Sequence, residues 1–475
     1  MNDYTFFNLR TLCTSLAIFW GGLQLAYAQK PTSPQLFTPQ QLIDIVKKNH
    51  PVAKQASILV EKAKAELLSA KGAFDPVFEM DASRKTFDGK NYYFYTNPQL
   101  KLPTPIGVDV KTGLENNGGQ FVTSEASKGQ TSYLGLEMAL LKGVTIDKRR
   151  AALQQAKIFN KQSEQEKLNV LNNLFFDAYA DYWQWAGAYQ LYTVYSKFVQ
   201  TAQNRLRLIR VAFKNGDRSV VDTVEAYTQL QNFQLQQAEA LLKLNNASLE
   251  LSNHLWQQND SAYLLPQTAI PDTIQFAFTE KISNTDAQIA QAALQNPIIK
   301  SYQYKLDALE VEKRLKFQSL LPYVTLKANI LNKGYNTLKA VDIPFIENNY
   351  KWGLDIKVPL LLREGRGDYQ KAKLKIKETA LEIDNKQWQI ENKMRYYLNE
   401  NNYLQQQLKI TQSMFNNYST LLRNEELRFA QGESSLFLIN SREMKVIESL
   451  QKQIELRTKY QKARFAIDWA AGLLQ

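Results

Sequence analysis

The sequence contains two copies of one pattern of prolines, glycines and small residues. Pro51 and Pro76 lie 25 residues apart, as do Pro297 and Pro322, and the second pair follows the first at an offset of 246 residues. Four more positions repeat at an offset of 216: Ala156, Phe213, Gly216 and Ala247 recur as Ala372, Phe429, Gly432 and Ala463. A constant offset over several markers indicates an internal duplication. It predicts a first repeat over 29–256, a proline-containing polar linker with little structure of its own over 257–284, and a second repeat over 285–475.

The first 28 residues have the composition of an export signal. Arg10 precedes an apolar stretch from Leu12 to Leu25, and Ala26-Tyr27-Ala28 forms a small-x-small cleavage site. We interpret 1–28 as a signal peptide and expect an exported protein; an amphipathic first helix is the alternative. Cys13, the only cysteine of the chain, lies in this segment. The exported part therefore has neither disulfides nor thiolate metal sites.

The charge of the chain does not indicate nucleic-acid binding. The formal net charge is +12, and the basic residues are spread along the sequence, which is typical of lysine-rich solvated helix faces. After Leu25 no apolar run approaches the roughly 20 residues that a membrane-spanning helix needs. Contact with a membrane would therefore be made by strands.

Each repeat begins with two helices that end at a proline. Thr38 is a good N-cap, with Pro39 at the first helical position and Gln41 at the capping-box spacing. The first helix is predicted to end at Asn49, and the second to run from Pro51 to about residue 71. The second repeat shows the same pattern over 285–321, and Pro76 and Pro322 end these helices.

Alternating strands follow each of these prolines. Apolar residues alternate with polar ones over 78–82, 108–112 and 134–140 in the first repeat, and over 324–330 and 352–358 in the second. Aromatic residues gather near them. The membrane-interface candidates are Tyr93, Tyr95, Tyr133, Tyr350 and Trp352. A girdle at a membrane interface and ordinary cross-strand pairs both account for them.

The rest of each repeat is predicted to be a helical hairpin. From about 147 to 214 there is no proline and one glycine, Gly187, so this helix is about 100 Å long. Its apolar residues recur at a mean spacing near 3.5, which is typical of helices that supercoil against neighbours. Gly216 and Gly432 are predicted to break the long helices and reverse the chain. The return helices are expected over 219–256 and 435–474.

Two repeats supply about four substantial strands, which cannot close a barrel alone. An open sheet edge is not tolerated in lipid, because unpaired backbone groups there cost several kcal/mol each. If these strands lie in a membrane, several chains must share one barrel, and three chains would give twelve strands. The first repeat also carries about thirty extra residues between Pro76 and Ala156. The part around 88–107 is either a surface loop or an added hairpin.

The chain resembles the TolC-like outer membrane efflux proteins over essentially all of its exported part. The resemblance depends on the doubled unit, Asn49-His50-Pro51 and Asn296-Pro297, Leu321-Pro322, and the runs over 140–157 and 358–373. It implies an α+β membrane protein, a homotrimer whose twelve-stranded barrel, four strands per chain, continues into a periplasmic α-helical coiled-coil tunnel. It also implies a passive exit duct in the bacterial outer membrane. Such ducts dock onto a periplasmic adaptor that links them to an inner-membrane transporter for efflux or type I secretion, without a cofactor.

The hairpin tips are the candidate docking and gate regions. The candidate residues are Gly216, Asp217, Arg218, Asp222, Gly432, Glu433 and Ser435. In the family an aspartate often lies six residues after the hairpin glycine, a position that Asp222 occupies in the first repeat and Leu438 in the second. Asp217, Arg218 and Glu433 are candidates for ion pairs between helices. Ordinary capping and solvated charges beside a turn are the alternative.

No sequence pattern indicates an enzyme. There is no phosphate-binding glycine loop, nucleophile elbow or HExxH run. His50 and His254 are far apart in sequence and lack the neighbours of a metal site, so packing or capping roles are expected. A periplasmic coiled-coil scaffold or adaptor is the competing hypothesis, although an adaptor would contain one helical hairpin rather than two complete repeats.

Overall fold

The computed structural model of the chain describes residues 35–122, 126–277, 285–335 and 349–474. The predicted signal peptide lies outside the described residues. The first repeat contains β1 (Gln35–Phe37), α1 (Pro39–Asn49), α2 (Pro51–Gly72), β2 (Val77–Phe87), β3 (Lys90–Pro103), β4 (Val108–Gly118), β5 (Gly129–Ala139), α3 (Lys148–Lys214) and α4 (Val220–Ser252). The remainder contains β6 (Ala269–Pro271), α5 (Thr273–Ala277), α6 (Asp286–Gln295), α7 (Pro297–Gln318), β7 (Tyr323–Lys333), β8 (Tyr350–Lys357), α8 (Arg363–Ala430) and α9 (Leu436–Ala471).

Corresponding helices of the two repeats have nearly equal lengths. Helices α2 and α7 each have 22 residues, and the long helices α3 and α8 have 67 and 68. Their start signals also correspond, since the capping box of Thr38 and Gln41 recurs as Thr285 and Gln288. These lengths and caps support the interpretation of the chain as a duplicated unit.

Six of the described strands form one antiparallel sheet in the order β2-β3-β4-β5-β7-β8. The prediction of about four strands was therefore wrong, because the described chain contributes six to this sheet. The extra residues of the first repeat form the added hairpin β3–β4, because β2 follows Pro76 as β7 follows Pro322, and β5 precedes α3 as β8 precedes α8. The chain enters β3 through a turn at Asp88 and Gly89, both with positive φ. Pro98 and Pro103 within β3 made its alternation hard to recognise, since proline argues against a strand.

The segment between the repeats is more structured than predicted. Strand β6 pairs in parallel with β1, and α5 follows directly. The buried hydroxyl of Tyr182 fastens both, donating to the Phe37 carbonyl (2.7 Å) and accepting from the Asp272 N–H (3.0 Å). A linker whose backbone finds such partners packs against α3 instead of extending into solvent.

Helix α3 is the centre of the helical layer. It packs against α2 and α7 near the sheet, and against α4 and α9 along the hairpins, while α8 lies beyond α9. Stacked rings join the two repeats: Phe176 lies 4.3 Å from Trp469, and Tyr179 lies 3.9 Å from Phe465, centroid to centroid. In the part of the chain that the structure describes, no helix combines the length and apolarity needed to cross a membrane.

Gly187 permits the close approach of α3 to α9. A Cβ added at this residue would overlap the hydroxyl of Thr458 on α9. Gly187 is itself buried, and its neighbours on the same helix, Trp185 and Ala186, have at most 2% of their surface exposed. A single methyl group at this crossing therefore has no space.

We predict that Gly187→Ala destabilises the protein by about 1–3 kcal/mol, the usual cost of overpacking a core. The matched control is Gly367→Ala on α8, where an added Cβ meets nothing within 4 Å; the gain in helix propensity makes it neutral or slightly stabilising. Thermal unfolding followed by circular dichroism in mild detergent measures both. Adding Thr458→Ala should restore much of the loss, and equal stability of the two glycine variants would contradict the close-approach role.

Candidate functional site: the sheet faces, the helix edges and the hairpin tips

One face of the six-stranded sheet is apolar and exposed. In the register of the sheet, Leu136 lies between Val110 and Ala328, and Met80 lies opposite Pro98. The exposed members of this apolar face come from the outer strands and from the middle of the sheet: Phe78 (69%), Met80 (60%), Leu134 and Leu136 (49% each), Trp352 (66%) and Ile356 (60%). An apolar surface this continuous is typical of a protein or membrane contact.

The opposite face of the sheet is polar and carries paired charges. Lys111 pairs with Glu137 between β4 and β5, and Lys327 pairs with Asp355 (3.0 Å) between β7 and β8. Near the helices, Arg149 binds Asp109 (2.9 Å). The sheet thus separates a face suited to lipid from a face suited to water, with the strict alternation that a membrane strand requires.

The structure divides the five aromatic residues predicted to lie at a membrane interface. Tyr350 and Trp352 lie on the apolar face, each 66% exposed. Tyr93, Tyr95 and Tyr133 lie on the polar face, away from the exposed apolar surface. Tyr133 is only 6% exposed, and its hydroxyl donates to Gln99 Oε1 (3.0 Å). The sequence shows that these aromatic residues are close along the chain. It does not show the register of the strands, which decides the face of the sheet on which each residue lies.

The two outermost hairpin helices, α4 and α8, carry exposed apolar residues at seven-residue spacing. On α4 these are Leu235, Leu242 and Leu249, and on α8 they are Leu374, Leu381 and Trp388, followed fifteen residues later by a second series, Tyr403 and Ile410. All are between 55% and 64% exposed. A heptad stripe is the seam of a coiled coil. Both edges of the helical layer therefore present surfaces for further helices, which the described residues of this chain do not supply.

Both hairpin tips turn at the predicted glycines. Gly216 has φ +82° and Gly432 has φ +81°, in the left-handed region that ends a helix without strain only at glycine. An added Cβ at either residue would meet nothing within 4 Å, so the backbone conformation and not space explains the glycine. The prediction that these two glycines end the long helices and reverse the chain is confirmed.

Asp222 and Ser435 lie at the starts of the return helices and cap them. The Asp222 carboxylate accepts from the Ser219 N–H (3.1 Å) and hydroxyl (3.0 Å), which completes a capping box. The Ser435 hydroxyl accepts from the Leu438 N–H. Within one chain, Asp222 therefore has the capping role that was the alternative to a gate.

Arg218 links the two tips without an ion pair. Its guanidinium carbon lies 4.0 Å from the ring centroid of Phe429, near the end of α8. Phe429 is the counterpart of Phe213 in the second repeat. Among the described residues, Asp217, Arg218 and Glu433 make no ion pair within 4.0 Å. The prediction of ion pairs between these helices was therefore wrong within one chain. The contact between the hairpins here is a cation–π interaction.

Arg205 and Glu443 form a buried contact between the hairpins that sequence reasoning missed. The guanidinium binds the carboxylate through two hydrogen bonds of 2.7 and 2.9 Å, and the Glu443 side chain is 2% exposed. Asn440 extends the network by donating to Glu225 on α4 (3.1 Å). The partners are 238 residues apart in the chain, so no local pattern indicates them. The network ties α3, α4 and α9 together above the tips.

We predict that Glu443→Ala destabilises the protein by about 3–5 kcal/mol, because it leaves the mostly buried Arg205 guanidinium without its partner. The matched control is Glu448→Ala on the same helix, which removes an exposed pair with Lys445 (2.8 Å) and should change stability by less than about 1 kcal/mol. Thermal unfolding of the two purified variants compares them. Equal losses of stability in the two variants would show that the buried pair stabilises the protein no more than the exposed pair does.

His50 and His254 lie together at the junction of α1, α2 and the end of α4. Their ring centroids are 5.9 Å apart, although the sequence separates them widely. His254 Nε2 lies 2.9 Å from Asp181 Oδ2, and His50 Nδ1 accepts from the Val52 N–H (3.2 Å), capping α2. In the described residues, no group of three or more histidine or carboxylate side chains could hold a metal ion. The capping role expected for His50 is confirmed.

The neutral form of His50 is the one that caps α2, and burial, with the neighbouring His254, lowers the pKa of His50. Because the folded pKa is below the unfolded value of about 6.5, the contribution of this group to stability is complete above that pH and is lost as pH falls towards the folded pKa. We predict a flatter pH profile of the unfolding midpoint below pH 6.5 in His50→Asn, since Asn296 caps α7 in the same way. Superimposable profiles would contradict the prediction.

Comparison with solved structures places the fold among outer membrane channels. The chain superposes on CusC with a TM-score of 0.66 at 14% identity, covering 91% of each chain. The CusC crystal structures concern folding and transmembrane channel formation. For the Campylobacter jejuni CmeC outer membrane channel the TM-score is 0.62 at 17% identity, over 91% of this chain and 85% of that one. For the open state of the Neisseria gonorrhoeae MtrE channel it is 0.65 at 13%, over 92% and 89%.

No protein-family model matches the chain, and no curated protein matches it either. At identities this low the structural likeness shows the fold. That fold is the one of the TolC-like outer membrane channels, so the resemblance stated from the sequence is confirmed at this level.

Proposed function

We propose that the protein is a passive exit duct of the bacterial outer membrane, assembled from three copies. The observation that carries this proposal is the two-faced sheet, which is apolar and exposed on one side and lined with paired charges on the other. Such a sheet suits a wall between lipid and water. The helices α3 and α8, each about 100 Å long, continue from the sheet and extend the passage into the periplasm.

The unpartnered edges support assembly into a trimer. The heptad stripes of α4 and α8 are exposed, and each outer strand of the described sheet has one side without a neighbouring described strand. An open sheet edge cannot lie in lipid, so neighbouring copies must cover it. In a closed ring the apolar stripe of α8 in one copy packs against α4 of the next, which needs no other protein.

The fold neighbours support the outer-membrane location and the absence of chemistry on the cargo. CmeC and MtrE are outer membrane channels and not enzymes, and no cofactor is needed for conduction. By the family resemblance, the tips around Gly216 and Gly432 dock onto a periplasmic adaptor. The adaptor joins the duct to an inner-membrane transporter, which exports small molecules in efflux or proteins in type I secretion.

The periplasmic scaffold is the weaker alternative. A soluble scaffold has no use for a sheet whose exposed face contains Phe78, Met80, Trp352 and Ile356, all at least 60% exposed. Its apolar surface would cause aggregation in water. A membrane accommodates the same surface without any rearrangement.

We predict that the protein fractionates with outer membranes, resists extraction by salt and carbonate, and runs near three times the monomer mass when loaded unboiled on a denaturing gel. Leu136→Arg on the apolar face should abolish or strongly reduce this species, because a cation facing the bilayer midplane costs about 2–4 kcal/mol per copy. The matched control is Asn329→Arg on the polar face of the adjacent strand, which should retain it. A soluble monomer or dimer of the parent protein would contradict the duct.

A further inference from the structure

Strands β3 and β4 have no counterpart in the second repeat, because β7 follows Pro322 as β2 follows Pro76, and β8 precedes α8 as β5 precedes α3. The first repeat nevertheless keeps the two faces of the rest of the sheet as far as its outer strand, β2. Phe78 and Met80 are exposed on the apolar face, while Glu79 and Asp81 alternate with them on the polar face. A hairpin folded over the outside of a wall would not keep this alternation in step with the strands beside it.

The added strands lie inside the sheet, between β2 and β5, and leave β2 at the edge. Strand β3 pairs with β4 from Phe94↔Gly118 to Pro103↔Asp109, so β4 has partners on both sides. The free edges of the sheet are those of β2 and β8, and every residue of both strands is exposed. Because neighbouring strands alternate in direction, β2 and β8 run in opposite directions, as antiparallel pairing between copies requires.

We infer that β2 of one copy pairs with β8 of the next, so that each copy contributes six strands to the shared wall and a trimer encloses eighteen strands instead of twelve. The number of copies rests on the proposed function; the pairing of β2 with β8 does not. An even number of antiparallel strands per copy closes the ring without a parallel joint. The lumen of an eighteen-stranded wall is wider, since barrel diameter grows with strand number, and admits bulkier cargo.

The stagger of the sheet indicates the register of this contact. Successive pairs place Val77 in one row with Lys101, Lys111, Gly135, Asn329 and Lys351. Strand β8 continues from that row to Lys357, at the end of the sheet where β2 begins at Val77. Strands that tilt in a barrel require such a stagger. In a closed wall, Val77 of the next copy therefore lies opposite Lys357.

This register keeps both faces continuous across the joint. On the apolar face it places Phe78 opposite Ile356, and Met80 opposite Leu354. On the polar face it places Asp81 opposite Gly353. Glu79 then lies beside Asp355, whose carboxylate is already bound by Lys327 at 3.0 Å. An odd shift of register would place Phe78 and Met80 on the charged side, which the alternation of both strands excludes.

Disulfide cross-linking between copies tests the pairing, and the chain is suited to it because its only cysteine, Cys13, lies in the predicted signal peptide. Gly353→Cys is the fixed position, since a Cβ there meets nothing within 4 Å. It is combined in turn with Glu79→Cys, Asp81→Cys or Ser83→Cys on β2, which covers register shifts of two residues. Full-length protein is oxidised in outer membranes and analysed after boiling without reductant.

We expect at least one of the three β2 combinations to give covalent dimers and trimers. Gly353→Cys with Ala82→Cys, on opposite faces, should give none, and Gly353→Cys with Lys327→Cys, paired within the chain, shows that the oxidation works. Cross-links of Gly353→Cys to Lys111→Cys or Glu115→Cys on β4 would overturn the inference, because the wall would then have twelve strands. So would the lack of any cross-link in variants that still form heat-sensitive trimers, a result that leaves the duct intact.

Discussion

The unsatisfied backbone at the two edges of the sheet is the constraint on which the rest of the structure depends. Strands β2 and β8 are the outer strands of the described sheet, and each has a row of backbone N–H and C=O groups on a side that no other described strand covers, next to an apolar face that includes Phe78 and Trp352. In lipid each such group costs several kcal/mol. In the proposed membrane location a single copy is therefore not sufficient, and pairing of its outer strands with further copies satisfies the sheet.

The helical layer also has edges that need partners, but there the exposed groups are apolar side chains instead of backbone N–H and C=O groups. Within the chain, α3 and α9 are covered on both flanks, and the buried pair of Arg205 and Glu443 fixes their relation above the tips. The outer helices α4 and α8 keep their heptad stripes exposed. Sheet and helices thus both end at exposed edges. In the proposed assembly, one rotation between copies completes both layers and leaves an aqueous passage along their common axis.

Much of this architecture was predictable from the sequence, because its signals are local. The capping box at Thr38, the glycine reversals at Gly216 and Gly432 and the proline-free stretch of α3 are each determined by a few neighbouring residues. The structure corrected what depends on contacts distant in sequence. Strand parity separates Tyr133 from Trp352, and β3 was obscured by its prolines. Contacts such as Arg218 with Phe429 leave no trace along the chain.

The proposed duct requires that copies of this chain close into one wall around a water-filled passage. Electron cryomicroscopy of the protein, extracted from outer membranes into detergent, would show such a wall. We expect three copies around one axis, a sheet continuous from copy to copy with its apolar face in the detergent belt, and α3 and α8 extending from one side. Particles with a single copy, or with an open sheet edge facing detergent, would contradict it.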